Sequence, residues 1–446
     1  MKPLYIFLLI AIAAFNSCKK YLDEKPDKSL VVPSTLKDLQ AMLDNNSILN
    51  INYSYAAEIG SDDYYLPTAD WQARTPSERN AHIWSPESFN DNSSTWSSPY
   101  TVVYNSNVVL SELLKIEPSV DEQSHNNIKG QALFFRSFAF YNLLQVFAKP
   151  YSPDSAHLQW GIALRLDPDF NKPTTRATVK ESYDQLIADT KIAIPLLSNQ
   201  QLYRTRPSKI AAYALLARTY LAMRDYDNAF KYADSSLQLN NSLLDYNSLN
   251  AAATNPIPVF NTECIFHSVY TVTNTINILS KVDSVLYRSY SSNDLRKIVF
   301  FKTNTDNTYT FKGSYDGTVR FFGGLAVDEM YLIRAECFAR AGNTSSALND
   351  LNALLIKRWK AGTFIPYTAI GAVDALTKIL LERRKELLMR GIRWSDLRRL
   401  NKEPLFAKTL TRFLENQEYP LYPTSPRYVY PIPVQIIQMT GIPQND

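Results

Sequence analysis

Blocks of apolar residues at helical spacing alternate along this chain with long irregular intervals. In the stretch 207–240, Ile210, Ala214, Ala217 and Leu221 recur on one helical face while Tyr213, Leu216 and Tyr220 line a second, a pattern that predicts a helix buried nearly all round. A break at Met223-Arg224 follows, Asp225 is placed to cap a second helix, and Ala229, Ala233 and Leu237 give that helix a small-residue face for close packing. Earlier in the chain, Ser34-Thr35 are placed to cap a helix at 36–43, the 104–114 block is periodic and stops before Pro118, and 126–147 carries a strongly aromatic face. Thr178 is placed to cap 179–197, with Tyr183, Leu186, Ile187, Thr190 and Ile194 inward. A further helical pair is predicted at 326–357, turning at Gly342-Asn343, and a last strong helix at 376–389.

The 207–240 hairpin resembles a tetratricopeptide repeat, with Leu216, Ala217, Tyr220 and Ala229 on that repeat's small and aromatic positions. One such hairpin cannot bury its own face. The blocks at 126–147 with 179–197, split by an insertion, and at 326–357 are read as its neighbours. The predicted fold is therefore mainly α, with interrupted tetratricopeptide-like helical repeats, long irregular loop excursions and a few short strands.

Between 45 and 100 the periodicity fades into Asp, Asn, Ser, Pro and aromatic residues, and the segment reads as loop. It holds Asp62-Asp63-Tyr64-Tyr65 and Trp71, Trp84 and Trp96, three of the six tryptophans of the chain. A sugar offers C–H patches on its ring face and hydroxyls at its edge, so rigid rings beside Asp, Asn or Arg suit it physically. Asp63, Tyr64, Trp71, Arg74 and Trp96 are the candidates here. Trp71, flanked by Asp70, Gln72 and Arg74, is the ring expected to be exposed, whereas Trp84 and Trp96 read equally as loop anchors. Asp62-Asp63 lack the ligand spacing of a calcium loop and read as a solvated turn. A second excursion, 241–325, mixes short strand-like runs at 263–270 and 297–302 with Asn, Ser and Asp.

Charge excludes more than it suggests: 47 basic and 43 acidic residues leave +4, and no basic run stands apart from acids, so neither nucleic acid nor an anionic membrane surface is implied as partner. The aromatic share of 12% exceeds what a helical core needs. At the N-terminus, Lys2 and the apolar run from Leu4 to Phe15 have the shape of a secretory signal, too short to span a bilayer. The run Phe15-Asn16-Ser17-Cys18 resembles a lipobox, which makes Cys18 the lipidation site and 1–17 the signal peptide. Residues 19–28 have no apolar face to bury and are expected to tether lipid to domain, the tether spanning 18–28. Cys264 and Cys337 are permitted to pair by an oxidising compartment, but Cys337 lies in a helical pattern, where a buried free thiol is expected.

Two further motifs carry a resemblance. Cys18-Lys-Lys-Tyr-Leu22-Asp23-Glu24-Lys-Pro26 resembles the mature start of SusD/RagB-family outer-membrane nutrient-uptake lipoproteins of Bacteroidetes, and the Glu382-Arg-Arg-Lys-Glu-Leu, Arg390-Gly-Ile-Arg-Trp394 and Asp396-Leu-Arg-Arg399 runs resemble the same family near its C-terminal end. The resemblance implies a SusD-like fold with an N-terminal region at 29–240 and a C-terminal region at 241–446. It implies capture of an oligosaccharide or similar nutrient, and delivery to a SusC-like TonB-dependent transporter from the cell-surface side of the outer membrane, held by the N-terminal lipid alone. It also directs attention to Tyr287, Arg288, Tyr290 and Asn293, in loops that in this family complete the ligand site. The arginine cluster is expected to be structural, with Glu386 and Arg390 paired one helical turn apart.

No catalytic motif is found: there is no G-x-S-x-G, no H-E-x-x-H, no phosphate-cradling loop, and only four scattered histidines, His82, His125, His157 and His267. Neither a cofactor nor a metal site is expected, and the chain is read as a binding protein rather than an enzyme. The alternatives are a repeat-bearing envelope scaffold without a small ligand, and a surface glycosidase, whose carboxylate pair only spatial separation would reveal.

Overall fold

The computed structural model describes residues 33–89, 92–270, 274–277 and 279–445. The signal peptide, Cys18 and the tether at 18–28 lie outside the described residues. No described helix is long and apolar enough to cross a membrane.

Helices form where the periodicity places them, and their caps are those the sequence offers. Leu36–Leu43 and Val179–Leu196 each begin with a capping box, Thr35 with Asp38 and Thr178 with Glu181, which satisfies orphan N–H groups reciprocally. Lys209–Met223 is capped by Ser208 and stops where Arg224 turns left-handed at φ 63°; Asp225 then caps Tyr226–Leu239. The first of these two helices is buried on every side from Ile210 to Ala222 except at Tyr213. The repeat neighbours also pack as expected. Glu122–Phe147 lies against Val179–Leu196 across the insertion, joined by Ser137 Oγ donating to the Leu186 carbonyl and by a buried Arg136–Asp189 pair at 2.8 Å. Tyr226–Leu239 packs on Val327–Arg340 although the whole 241–325 excursion separates them in sequence, with Phe230 and Phe338 edge to face at 4.9 Å. Val327–Arg340 in turn packs on Thr344–Leu355 and Ala372–Glu386.

Three expectations are corrected. The 45–100 interval is not open loop: it contains the helices Ala56–Ile59, Thr68–Gln72 and Pro76–His82, and Ser94–Leu113 starts ten residues before the expected 104. Its first turns are Ser, Thr and Pro, which hide the apolar period. The last strong helix ends at Glu386, because Met389 and Gly391 both take positive φ. Arg390 therefore leaves the helix and pairs with Asp328 at 2.7 Å, while Glu386 pairs with Arg358 and Arg296 instead.

Strands are short and pair antiparallel in twos among the described residues. Tyr64–Tyr65 pairs with Lys281–Val282, stitching the first excursion to the second. Leu410–Leu414 and Gln417–Leu421 form a hairpin about Glu415-Asn416, both at positive φ. Cys264 and Cys337 are buried free thiols.

Candidate ligand-binding cleft

The junction of the two excursions is built on buried ion pairs. Arg296 sits among Asp294, Glu382 and Glu386 at 2.5–2.9 Å, and Arg358 bridges Glu386 and Glu263 at 2.7 Å. The carboxylates of Glu263, Asp328 and Glu386 converge closely. Arg296, Arg358 and Arg390 occupy that convergence, so its charge is already balanced by guanidinium groups. On the next turn Arg383 holds Asp396, and Arg399 holds Glu336. The arginine-rich motif is thus a structural clamp between repeat helices and excursion.

Above this bed lies a cleft of about 420 Å³ lined by Asp62, Tyr65, Asp283, Arg384, Lys408 and Phe413 among others, within the range of small-ligand sites. Asp62 accepts from Arg393 Nε at 2.6 Å and Lys408 Nζ at 2.8 Å, and lies 3.2 Å from Arg384. Burial works to raise its pKa, but Arg393 and Arg384 outweigh that and hold the carboxyl well below its ordinary value. The expected solvated turn is instead a clamped one. Tyr65 is 39% exposed and Phe413 68% exposed, so both offer ring faces to the cleft. Burial and the charges of Asp306 and Asp283 raise the Tyr65 hydroxyl pKa.

The sequence candidates fall in several places. Asp63 and Tyr64 are brought to the cleft, but as its support. Asp63 is buried beneath it with Arg384 Nε at 3.4 Å, and burial pushes its carboxyl up to about 6. Tyr64 is buried and donates to the Ile59 carbonyl. Beneath them, burial and then Asp63 push Glu58 up to about 8, so it stays protonated at neutral pH. Trp71 is only 8% exposed. Its Nε1–H donates to the Arg79 carbonyl at 3.2 Å, which corrects the expectation of an open platform. Its neighbour Gln72 reaches Glu415 at the tip of the hairpin. Arg74 is half-buried, its Nε donating to the Asp70 carbonyl. Trp96 lies away from this cleft, against Tyr100 and Phe147, on the wall of a separate apolar groove that includes Tyr104 and Phe170. Tyr290 is buried, donating to the Lys385 carbonyl, with the cations of Arg296 and Lys385 over its ring. Tyr287 is half-buried and stacks on Tyr309 at 3.4 Å, while Arg288 and Asn293 are exposed on the same segment.

Sequence reasoning did not single out Tyr65, Arg384, Lys408 and Phe413, which line this candidate cleft. A signal existed for two of them. In a strand successive side chains alternate faces, so Tyr64 inward implies Tyr65 outward, and the alternation Leu410, Arg412, Leu414 inward implies Phe413 outward.

Comparison with known proteins agrees with this architecture at both ends of the chain. Residues 20–221 match a family model described as starch-binding associating with outer membrane, and residues 328–445 match the SusD family model. The chain belongs to the SusD/RagB family. A SusD superfamily protein of Bacteroides thetaiotaomicron superposes with a TM-score of 0.74 at 21% identity, covering 92% of this chain and 100% of the other. A SusD-like carbohydrate-binding protein of Bacteroides vulgatus gives a TM-score of 0.69 at 22% identity, over 92% and 97%. In sequence, a SusD-like protein of Formosa agariphila is 29% identical over 141 residues, 32% of this chain. That match spans 26% of the relative's length. The lining of the cleft draws on both matched segments, Asp62 and Tyr65 from the first and Arg384, Lys408 and Phe413 from the second, with Asp283 lying between them.

Proposed function

We propose that this SusD-family chain is a lipid-anchored protein of the cell surface that captures an oligosaccharide, or a nutrient of similar chemistry, in the Asp62–Phe413 cleft. It then passes the ligand to a SusC-like TonB-dependent transporter. The observation that carries the reading is the pairing of two exposed rings, Tyr65 and Phe413, with fixed charged groups in one cavity. Rings of this kind stack on sugar faces, and Asp62, Asp283 and Lys408 are placed for hydroxyls. Tyr287, Arg288 and Asn293 extend the contact surface for a longer chain, and Cys18 carries the lipid.

Binding rather than bond cleavage suits the site. Asp62 and Asp283 are the carboxylates among the lining residues, and Asp62 is clamped by three cations, the opposite of a poised general acid. Support for a carbohydrate ligand comes from the family description and from the carbohydrate-binding relative of the same fold.

Calorimetry of the purified chain against a panel of neutral and acidic oligosaccharides and peptides tests the proposal. Binding to at least one is expected, and Tyr65→Ala with Phe413→Ala weakens it by about 1 kcal/mol or more, as loss of stacked rings does, with folding intact. Affinity purification from the native envelope is expected to bring down a barrel transporter. Silence across the whole panel sinks the binding role, and an absent barrel sinks the delivery step.

A further inference from the structure

We propose that a second pocket, between residues 149–159 and 423–429 and floored by Arg398, binds an oxyanion: the sulfate, phosphate or carboxylate of a small ligand. The pocket has a volume of about 280 Å³ and shares no lining residue with the Asp62–Phe413 cleft. Lys149, Arg398 and Lys402 line it together with neutral polar groups such as Ser152 and Thr424, and among the described residues no carboxylate does. It does not rest on the carbohydrate reading.

Arg398 is the decisive group. It is 3% exposed. Its two terminal nitrogens donate to the carbonyls of Leu144, Gln145 and Ala148 at the C-terminal end of the Glu122–Phe147 helix. Its Nε–H has no partner among the described residues. Its neighbours Arg383, Arg390 and Arg399 each hold a carboxylate, whereas the groups that act on the Arg398 charge are the neutral phenols Tyr183 and Tyr141. Burial accordingly lowers its pKa to about 10, still far above neutrality. A buried guanidinium with a spare N–H and no counter-ion among the described residues costs desolvation energy that an anion would recover through a charge-assisted hydrogen bond. Lys402 stands exposed at the rim and makes no ion pair with a described residue, so it supplies a second charge. The volume sits just below that of typical ligand pockets, a size for one small acid rather than a polymer.

Titration calorimetry of the full chain with sodium sulfate, sodium phosphate and galacturonate, at an ionic strength held constant with chloride, tests the proposal. Galactose serves as the neutral control. Saturable binding of at least one anion is expected. Lys402→Gln weakens it several-fold and Lys402→Glu by about tenfold or more, the loss of one charge-assisted contact, with thermal midpoints unchanged in anion-free buffer. Inorganic anions binding tighter than galacturonate assign the pocket to free sulfate or phosphate, and the reverse assigns it to acidic sugars. Arg398→Gln also removes bonds at a helix end and risks misfolding, so the exposed lysine carries the test. If no anion saturates the site, or if the Lys402 variants bind anions as the parent does, the pocket is a structural charge relay and the proposal is wrong.

Discussion

The Lys209–Leu239 hairpin and the junction beneath the cleft are both buried, but by opposite means. The hairpin buries an almost unbroken apolar surface, with Ile210, Ala214, Ala217 and Leu221 fully enclosed and Arg218 its one buried ion, paired to Glu329. The junction buries charge: Arg296, Arg358, Arg383, Arg390 and Arg399 are all enclosed with carboxylates. Apolar burial tolerates small shifts of register because it is non-directional. A guanidinium–carboxylate lattice fixes the partners' positions, since each misplaced ion is left desolvated and unpaired. The frame is therefore the place for stacking repeats, and the junction the place to hold two distant loops at one geometry. The ligand cleft sits over the junction, where its walls are held by directional bonds.

That contrast is broken most severely at its ionic centre. Arg296→Ala removes the shared cation of Asp294, Glu382 and Glu386, and the expected cost is about 3–5 kcal/mol, the range for orphaning a buried charge. Urea unfolding followed by circular dichroism measures it. A loss under about 1 kcal/mol would mean that the lattice behaves like a surface network. Trp71→Ala comes next. The ring is enclosed and hydrogen-bonded through Nε1, so the variant is expected to lose about 3 kcal/mol of stability, the low end for truncating a buried aromatic. Any loss of ligand binding should follow from the loosened Thr68–Gln72 helix and not from a missing platform. A variant of unchanged stability with weakened glycan binding would restore Trp71 as a contact residue.

The same contrast explains what the sequence could reveal. Helix periodicity and capping are local, so Thr35, Thr178 and Asp225 were readable as caps and the order of helical pairs followed. The ion pairs join residues far apart in the chain: Asp62 meets Arg393 across 331 positions and Lys408 across 346. Nothing near Asp62 announces those partners, which is why Asp62-Asp63 read as a solvated turn. The same holds for Glu386, whose partner one turn away, Arg390, is physically plausible until the helix stops. The expected exposure of Trp71 fails for a related reason. Polar neighbours on either side of Trp71 suggested an open loop, but in a helix of five residues the flanking side chains point elsewhere while the ring turns inward. The Leu410–Leu421 hairpin carried a clear alternation of inward and outward residues, and with it Phe413 was within reach of sequence reasoning.

The smallest effect concerns Glu58, the neutral member of an otherwise charged junction. It accepts from Ser61 Oγ and from the Gly391 N–H, and burial, then Asp63, raise its pKa from 4.5 to about 8. A carboxyl raised in the folded state keeps a proton that the unfolded chain releases. Its contribution is therefore complete below about pH 4.5 and is lost as pH climbs toward about 8. Asp63, raised to about 6, adds a loss of the same sign over a lower window. Glu58→Gln replaces the protonated acid with a permanently neutral group of the same shape, whose carbonyl still accepts from Gly391. Its thermal midpoint should lie close to the parent's near pH 5 and exceed it near pH 8 by at least roughly 2 °C, the shift that about 1 kcal/mol produces in a large domain. Calorimetric scans at the two pH values decide the matter. A Gln variant less stable than the parent at pH 8 would show that the folded chain favours the Glu58 carboxylate, so that its pKa is lowered rather than raised and the junction, like the arginine lattice beside it, is charged throughout.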